Sequence, residues 1–434
     1  MNKVKASLLA ISVVLGAGAT AHAHHGDLRD LILREIYDAS NYRTDKIEFP
    51  QLLTGDVNAG RGFFGLAPDN TISSGFGGLF EGNSAIYGPV VSNGTLCSSC
   101  HRPESNFMLP VPPISAHIAA GDPLLTGRNA EAQGDPRQAA LFENHGLVKQ
   151  RPNRFNPLLP QTHPYKRVFS WRKTQTIWNM AFEHSLLTDG RARAGFEQAR
   201  GAAFTHTQDT DVRFDDIADP KLRDIVAWQQ TIVTQPELKD LLDKNAPLYG
   251  ALTSDPFYTV HPSTPEERFG QRVFERQCMS CHNMPNVFNN RDHIDGPPTA
   301  FPPNYGRTFD VGVGQANRLG LDYRFYDSSN GTYSTVILPL AREDGAQVNW
   351  PVTDDIGAAA ATGRYEDLHR FRVPQLRRVK DFAPYFHDNS AATLEEVVDY
   401  FNSPAYNNSR DGRKYPVRLN NHERTALLAF LRIL

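Results

Sequence analysis

All four cysteines of this 434-residue chain fall in one pentapeptide used twice, Cys97-Ser-Ser-Cys100-His101 and Cys278-Met-Ser-Cys281-His282. C-x-x-C-H is the attachment signal for a c-type haem. The two thiols add to the two vinyl groups on one edge of the porphyrin, and the adjacent histidine turns under the ring to bind iron through an imidazole nitrogen. Once the thiols are thioethers the haem cannot leave, so the chain must fold around two fixed apolar discs. Other uses of paired cysteines fit less well. A zinc site would want a second pair of ligands close to each pair, and a thioredoxin-like pair would not require histidine in both copies. Two disulfides would suit an exported chain, but not cysteines confined to one repeated motif. Cys97, Cys100, His101, Cys278, Cys281 and His282 are therefore read as haem-binding, with His101 and His282 as proximal iron ligands.

The N-terminus has the order of a secretory signal: Asn2, Lys3 and Lys5, then the apolar run "LLAISVVLGAGA", then "AHAHHG". Cleavage after Ala23 gives a signal peptide over 1–23 and a mature chain that starts at His24, expected in the periplasm. The apolar run is too short to span a bilayer comfortably, and no later segment has about 18 uninterrupted apolar residues. No membrane span is expected in the mature chain. A formal net charge of -3 gives no global case for nucleic acid or an anionic membrane as partner.

The surroundings of the two motifs repeat as well. "GRGFF" (60–64) precedes the first and "FGQRVFERQ" (269–277) the second, so each motif is fed by an aromatic-bearing helix. Thr264, Pro265 and Glu267 form a capping box with proline in the first helical position. A Gly-, Ser- and Asn-rich insertion separates helix and motif in the first copy. Each half closes on an amphipathic helix: "PKLRDIVAWQQTI" (220–232) puts Leu222, Ile225, Val226 and Ile232 on one face, and "HERTALLAFLRIL" (422–434) does the same with Leu427, Leu428, Leu431 and Leu434. Two haem-bearing helical domains follow, over 24–254 and 255–434. The boundary lies in the Pro-rich "DPFYTVHPSTP". Strand-like alternation is scarce, with "YSTVILPL" (333–340) the best candidate. "FEQARGAAFTHTQD" (196–209) starts as a helix and then runs into small and polar residues.

With these features in order the chain resembles the bacterial di-haem cytochrome c peroxidase family, including the MauG-type enzymes, from about 57 to 434. The resemblance is carried by "HRPESNF" after the first motif, "TIWNMAFEHSLLTDGRARAGFEQA" (176–199), "FRVPQLRRVKDFAPYFHDNSAATLEEVVDYFN" (371–402) and the terminal "HERTALLAFLRIL". It implies a mainly α fold of two cytochrome-c-like helical domains, each carrying one covalent haem c, with haems that meet across the domain interface, one reacting with hydrogen peroxide or dioxygen and the other relaying electrons. A small redox protein is the implied electron donor or acceptor.

Residue by residue the carry-over is uneven. Gln198 matches a glutamine lining the reactive pocket over the N-terminal haem. The family's acid-base glutamate is replaced by Gln208. Peroxide heterolysis needs a group that takes the proton from the inner oxygen and returns it to the outer one, which an amide cannot do. His206, which titrates near neutral pH, and Asp209 are the nearby substitutes; a solvated loop histidine is the other reading of His206. The family's inter-haem tryptophan is Thr188 here, leaving Trp171 or Trp178 to bridge or to fill core. Lys173 stands at the family's calcium ligand, where an ammonium could take the cation's place. The position of the family's outer ligand to the C-terminal haem is Phe401, so Tyr400, one residue off, or His293, His369 or His387 must serve if that iron is six-coordinate. By resemblance His387 lies near a haem propionate. His117 has the spacing of the removable outer ligand in the classical peroxidases, although the MauG-type branch leaves that face open. The basic, aromatic stretch over 151–173 suggests propionate pairing or docking of an acidic partner.

Three functions fit: a periplasmic peroxidase-type oxidoreductase, an electron-transfer cytochrome that kept the scaffold and lost the chemistry, and an oxygenase acting on an organic substrate. The changes at Gln208, Thr188 and Phe401 keep the second open.

Overall fold

The structure is a computed structural model that describes residues 53–67, 83–84, 88–89, 95–118, 121–122, 124–127, 129, 131–153, 159–160, 162–183, 185–192, 195–206, 219–289 and 308–434. The expected signal peptide, Gln208, Asp209, His293 and most of the insertion before the first motif lie outside them. The principal helices are α1 (Val57–Phe64), α2 (Cys97–Cys100), α3 (Gly195–His206) and α4 (Asp219–Gln230) in the first half, and α5 (Pro265–Gln277), α6 (Leu394–Phe401) and α7 (Asn421–Leu431) in the second.

Each half is organised by a helix crossing at a glycine. A Cβ on Gly60 of α1 would stand 1.9 Å from the Asp224 carbonyl oxygen of α4, and one on Gly270 of α5 would stand 1.9 Å from the Ala426 carbonyl oxygen of α7. Only a residue without a side chain lets the backbones approach this closely. Asp56 caps α1 by accepting from the Asn58 and Ala59 amides. Thr264 and Glu267 cap α5 reciprocally, as the sequence predicts. The apolar faces predicted for the closing helices are buried, including Leu222, Ile225, Val226, Leu427 and Leu428.

The crossings seed two cores. One holds Phe64, Phe107, Leu186, Phe196, Leu222 and Val226; the other holds Phe274, Phe288, Val398, Leu427 and Phe430. A third core joins the halves, with Leu147, Val168 and Trp171 from the first packed on Tyr323, Leu338, Val352 and Ile356 from the second.

The helical expectation holds at the crossings and fails between them. Five two-stranded antiparallel sheets occur among the described residues. They include β1 (Leu147–Gln150) with β2 (Ser170–Lys173), β3 (Thr308–Phe309) with β6 (Phe371–Arg372), and β4 (Ile337–Ala341) with β5 (Gln347–Pro351). "YSTVILPL" is split between Thr332–Ser334 and β4, which belong to different sheets. α3 also differs from its sequence reading. It continues through Gly201 to His206, because Phe196, Ala199 and Ala203 keep one face buried and outweigh the weak helix propensity of the glycine.

Candidate haem-binding and redox site

Both motif histidines are held in the same way. His101 Nδ1 lies 2.9 Å from the Phe107 carbonyl oxygen and His282 Nδ1 lies 2.8 Å from that of Phe288. Both phenylalanines adopt positive φ, 54° and 60°, a conformation that bulky side chains rarely accept. With Nδ1–H donating to a carbonyl, the proton is fixed there and the Nε2 lone pair is left to bind a metal. Burial pulls both imidazoles down to about 4, so they are neutral, the state a metal ligand requires. Burial also pushes the thiols of Cys97, Cys100 and Cys278 up to about 12, and none of the four cysteines is in a disulfide. Reduced thiol pairs beside a neutral, oriented imidazole fit the donor set of a haem c at both places. Aromatic rings complete each surround: Phe64 lies 6.1 Å from the His101 ring and 4.7 Å from Trp228, and Phe257 lies 5.4 Å from Phe288.

α3 forms one wall of the first site. Its buried face runs Phe196, Ala199, Ala203, in the same cluster as Cys97, and His206 continues that face at helical spacing. The His206 ring lies close enough to His101 for its charge to oppose protonation there. Its Nδ1 stands 3.2 Å from Glu131 Oε2 and 3.3 Å from Asn129 Nδ2, so it is no solvated loop histidine. Gln198, half-buried, lies next to Ala199 on the same helix. Glu131 had no signal in the sequence, since a lone glutamate in "RNAEAQGD" fits no motif and only the tertiary fold brings it to α3. His117 is exposed on the short turn Ser115–His117, and its carbonyl accepts from Arg102.

The second site is lined differently. Tyr400 is buried and donates its hydroxyl to the Val311 carbonyl at 2.8 Å. Its ring packs 5.1 Å from Phe386 and 5.8 Å from Phe401, which in turn lies 4.9 Å from Tyr406. Tyr406 escaped the sequence reading. Burial raises its pKa, and the charges that Cys281 and Cys278 would carry raise it further. His387 stacks on Phe371 at 4.6 Å with Nε2 3.6 Å from Asp355, and His369 Nε2 lies 3.1 Å from Asp354.

Between the sites the halves exchange backbone bonds. Lys173 N–H donates to the His387 carbonyl at 2.8 Å, and Arg372 N–H donates to the Thr188 carbonyl at 2.9 Å. Arg172, wholly buried, joins Asp189 of the first half at 2.6 Å to Asp355 of the second at 2.8 Å. The Lys173 ammonium donates to the carbonyls of Phe382 and Pro384. These two cations of the basic stretch are thus engaged inside the protein. The two tryptophans separate: Trp171 sits in the third core with its indole N–H on the Asp322 carbonyl at 3.1 Å. Trp178 packs against both haem-motif cores, 5.4 Å from Phe107 and beneath the Arg378 guanidinium at 5.2 Å.

No family model matches the sequence. A cytochrome-c peroxidase of Denitromonas iodatirespirans, IdrP2, is 25% identical over 297 residues, 64% of this chain and 72% of that protein. IdrP2 of Pseudomonas sp. (strain SCT), also a cytochrome-c peroxidase, is 28% identical over 171 residues, 39% of this chain and 39% of that one. Among solved structures, a MauG-like protein associated with microbial copper homeostasis superposes with a TM-score of 0.43 at 16% identity, over 91% of this chain and 95% of that one. No helix among the described residues is long and apolar enough to cross a membrane. The paired C-x-x-C-H motifs, in the company of these peroxidase relatives, mark the chain as a peroxidase-type oxidoreductase with a divergent likeness to the di-haem cytochrome c peroxidases.

Proposed function

We propose that the protein is a periplasmic di-haem c oxidoreductase, exported by a cleaved signal, that reduces hydrogen peroxide at the N-terminal haem with electrons relayed through the C-terminal haem from a small redox protein. The reading divides the mature chain into 24–254 and 255–434, with one haem attached in each. The observation that carries it is an asymmetry: α3 ends on His206 at the first site with Glu131 behind it, whereas the matching helix end at the second site carries the aromatic residues Tyr400 and Phe401, packed on Phe386 and Tyr406.

Bound haem would supply the iron site for peroxide and would pass on the two electrons that the donor protein provides. The chain's residues do the rest. Cys97 and Cys100, and Cys278 and Cys281, fix the two rings, and the Nε2 atoms of His101 and His282 hold the irons from the proximal side. The Gln198 amide orients peroxide. His206 Nε2 takes the proton from the inner oxygen and returns it to the outer one, in place of the carboxylate that Gln208 lacks. The balance is one peroxide, two protons and two electrons giving two waters. Trp178, packed against both cores, supports an aromatic route between the haems that Thr188 cannot offer. The Lys173 ammonium supports a side-chain cation in place of calcium between the halves. His117 stays the candidate for a removable outer ligand on the first haem, and Tyr400 for an outer ligand on the second.

Ferric absorption and spin-resonance spectra with and without peroxide test this reading. One high-spin haem that changes on adding peroxide is expected, and His206→Ala should slow that change by on the order of 10²–10⁴-fold. Two low-spin haems indifferent to peroxide and dioxygen would leave only the electron-transfer function. Reaction with dioxygen alone, in the presence of an organic substrate, would favour the oxygenase.

A further inference from the structure

Glu131 is buried, 1% exposed, in a turn that belongs to neither motif. Two contacts set its position. Asn129 Oδ1 accepts from the Glu131 amide at 2.9 Å, and Glu131 Oε1 accepts from the Arg151 amide at 2.7 Å. The second oxygen, Oε2, is buried without a hydrogen-bond partner among the described residues and stands 3.2 Å from His206 Nδ1. The histidine side chain is 26% exposed, against 2% for the carboxylate. A buried anion thus stands behind a partly open imidazole at the end of the helix face that packs with Cys97.

We propose that Glu131 is a positioning residue for the peroxide reaction: it holds the proton on His206 Nδ1 and so presents a basic Nε2 to the first haem site. The proposal rests on the reading of His206 as the proton-transfer group. Asn129 Nδ2 competes for the same ring nitrogen at 3.3 Å. Its amide orientation is fixed by the bond from Glu131 N–H to its oxygen, so it can only donate, and it would favour the opposite tautomer. The carboxylate prevails: its buried, unpartnered oxygen lacks any other donor among the described residues, and a charge-assisted hydrogen bond formed by a small turn of the ring is roughly twice as strong as the neutral one from the amide. In the reaction Nε2 takes the proton of the inner peroxide oxygen, and the resulting imidazolium is stabilised by Glu131, which stays ionised. The proton then passes to the outer oxygen as the oxygen–oxygen bond breaks and that oxygen leaves as water. The inner oxygen leaves as the second water after two electrons from the donor protein and two further protons have arrived.

The ring nitrogen shifts of His206 in ¹⁵N-labelled holoprotein, reduced and bound to carbon monoxide so that iron is diamagnetic, should report the Nδ1–H tautomer. In Glu131→Gln the ring should lose that preference. The same variant should react with peroxide roughly ten- to a hundredfold more slowly, with an unchanged KM for the donor protein, and Glu131→Asp should recover part of the loss. An Nε2–H tautomer in the unaltered protein overturns the proposal. So does an unchanged peroxide rate in Glu131→Gln while His206→Ala is slow. If His206→Ala itself reacts at the unaltered rate, the reading of His206 fails and takes this proposal with it. Should Glu131→Gln fail to fold, the tautomer in the unaltered protein decides.

Discussion

The two halves share a frame and differ in lining. Each has an entry helix crossing a closing helix at a glycine, a motif histidine bonded to a phenylalanine carbonyl, and a tight loop bearing a bridge, Leu186 with Ala192 in one and Tyr385 with Ala391 in the other. Even the backbone conformations correspond: Asn179 and Arg378 have φ of 59° and 60°, and Leu187 and Phe386 have 69° and 67°. The residues that follow those loops diverge. α3 runs on to His206, backed by Glu131, whereas α6 stops at Phe401 among Tyr400, Tyr406 and Phe386. The first helix end carries an imidazole with a carboxylate behind it, whereas the second carries phenols whose pKa burial raises further above neutral. A shared frame with unequal walls is what the proposed separation of proton chemistry from electron relay would need.

That comparison can be broken at the seam first. Arg172→Met should have the largest effect, because it leaves the buried Asp355 without its guanidinium and Asp189 with Arg191 alone. A loss of about 3–5 kcal/mol is expected, measured by denaturant unfolding of the holoprotein; a loss below about 1 kcal/mol would mean that the halves do not depend on this link. Next come the crossings. Gly60→Ala and Gly270→Ala each drive a methyl into a carbonyl oxygen at 1.9 Å, and each should cost about 1–3 kcal/mol or more. Equal costs would support equivalent frames, and a marked inequality would show that one half folds around the other.

Lys173→Met should cost about 1–3 kcal/mol by leaving two buried carbonyls without their donor, read from the same unfolding curves. Its pH dependence has a definite sign. Burial pulls Lys173 from 10.5 down to about 7, so between those values the unfolded chain keeps a proton that the folded one has released. The stability of the unaltered protein relative to Lys173→Met should therefore rise with pH across that window. A flat difference would mean that the two carbonyls keep the ammonium charged.

Much of the frame was legible in the sequence, and for local reasons. The capping box at Thr264, the apolar faces of α4 and α7, and the adjacency within each C-x-x-C-H depend on residues within one or two turns of each other. The short sheets were less legible. β3 pairs with β6 and β1 with β2 through partners distant in sequence, and strands of two to five residues carry too little alternation to register. α3 was read too short because the apolar face that sustains it meets α4 and the first core, contacts invisible to local propensity. Glu131 and Tyr406 were missed because each acquires its role only by being folded against a motif residue or a helix end far away in the chain.

The sequence by itself determined that there are two C-x-x-C-H motifs, each with a histidine next to its second cysteine, and that Gln208 and Thr188 stand where the resembled family has its acid and inter-haem tryptophan. These are matters of residue identity and short spacing, fixed before the chain folds. Only the tertiary structure decided that His206 faces the first site with a buried carboxylate behind it, that Trp178 rather than Trp171 touches both cores, and that Arg172 and Lys173 tie the halves together. Each of those facts is a long-range contact, and long-range contacts follow from how helices and loops pack around the cores rather than from any pattern a local stretch can carry.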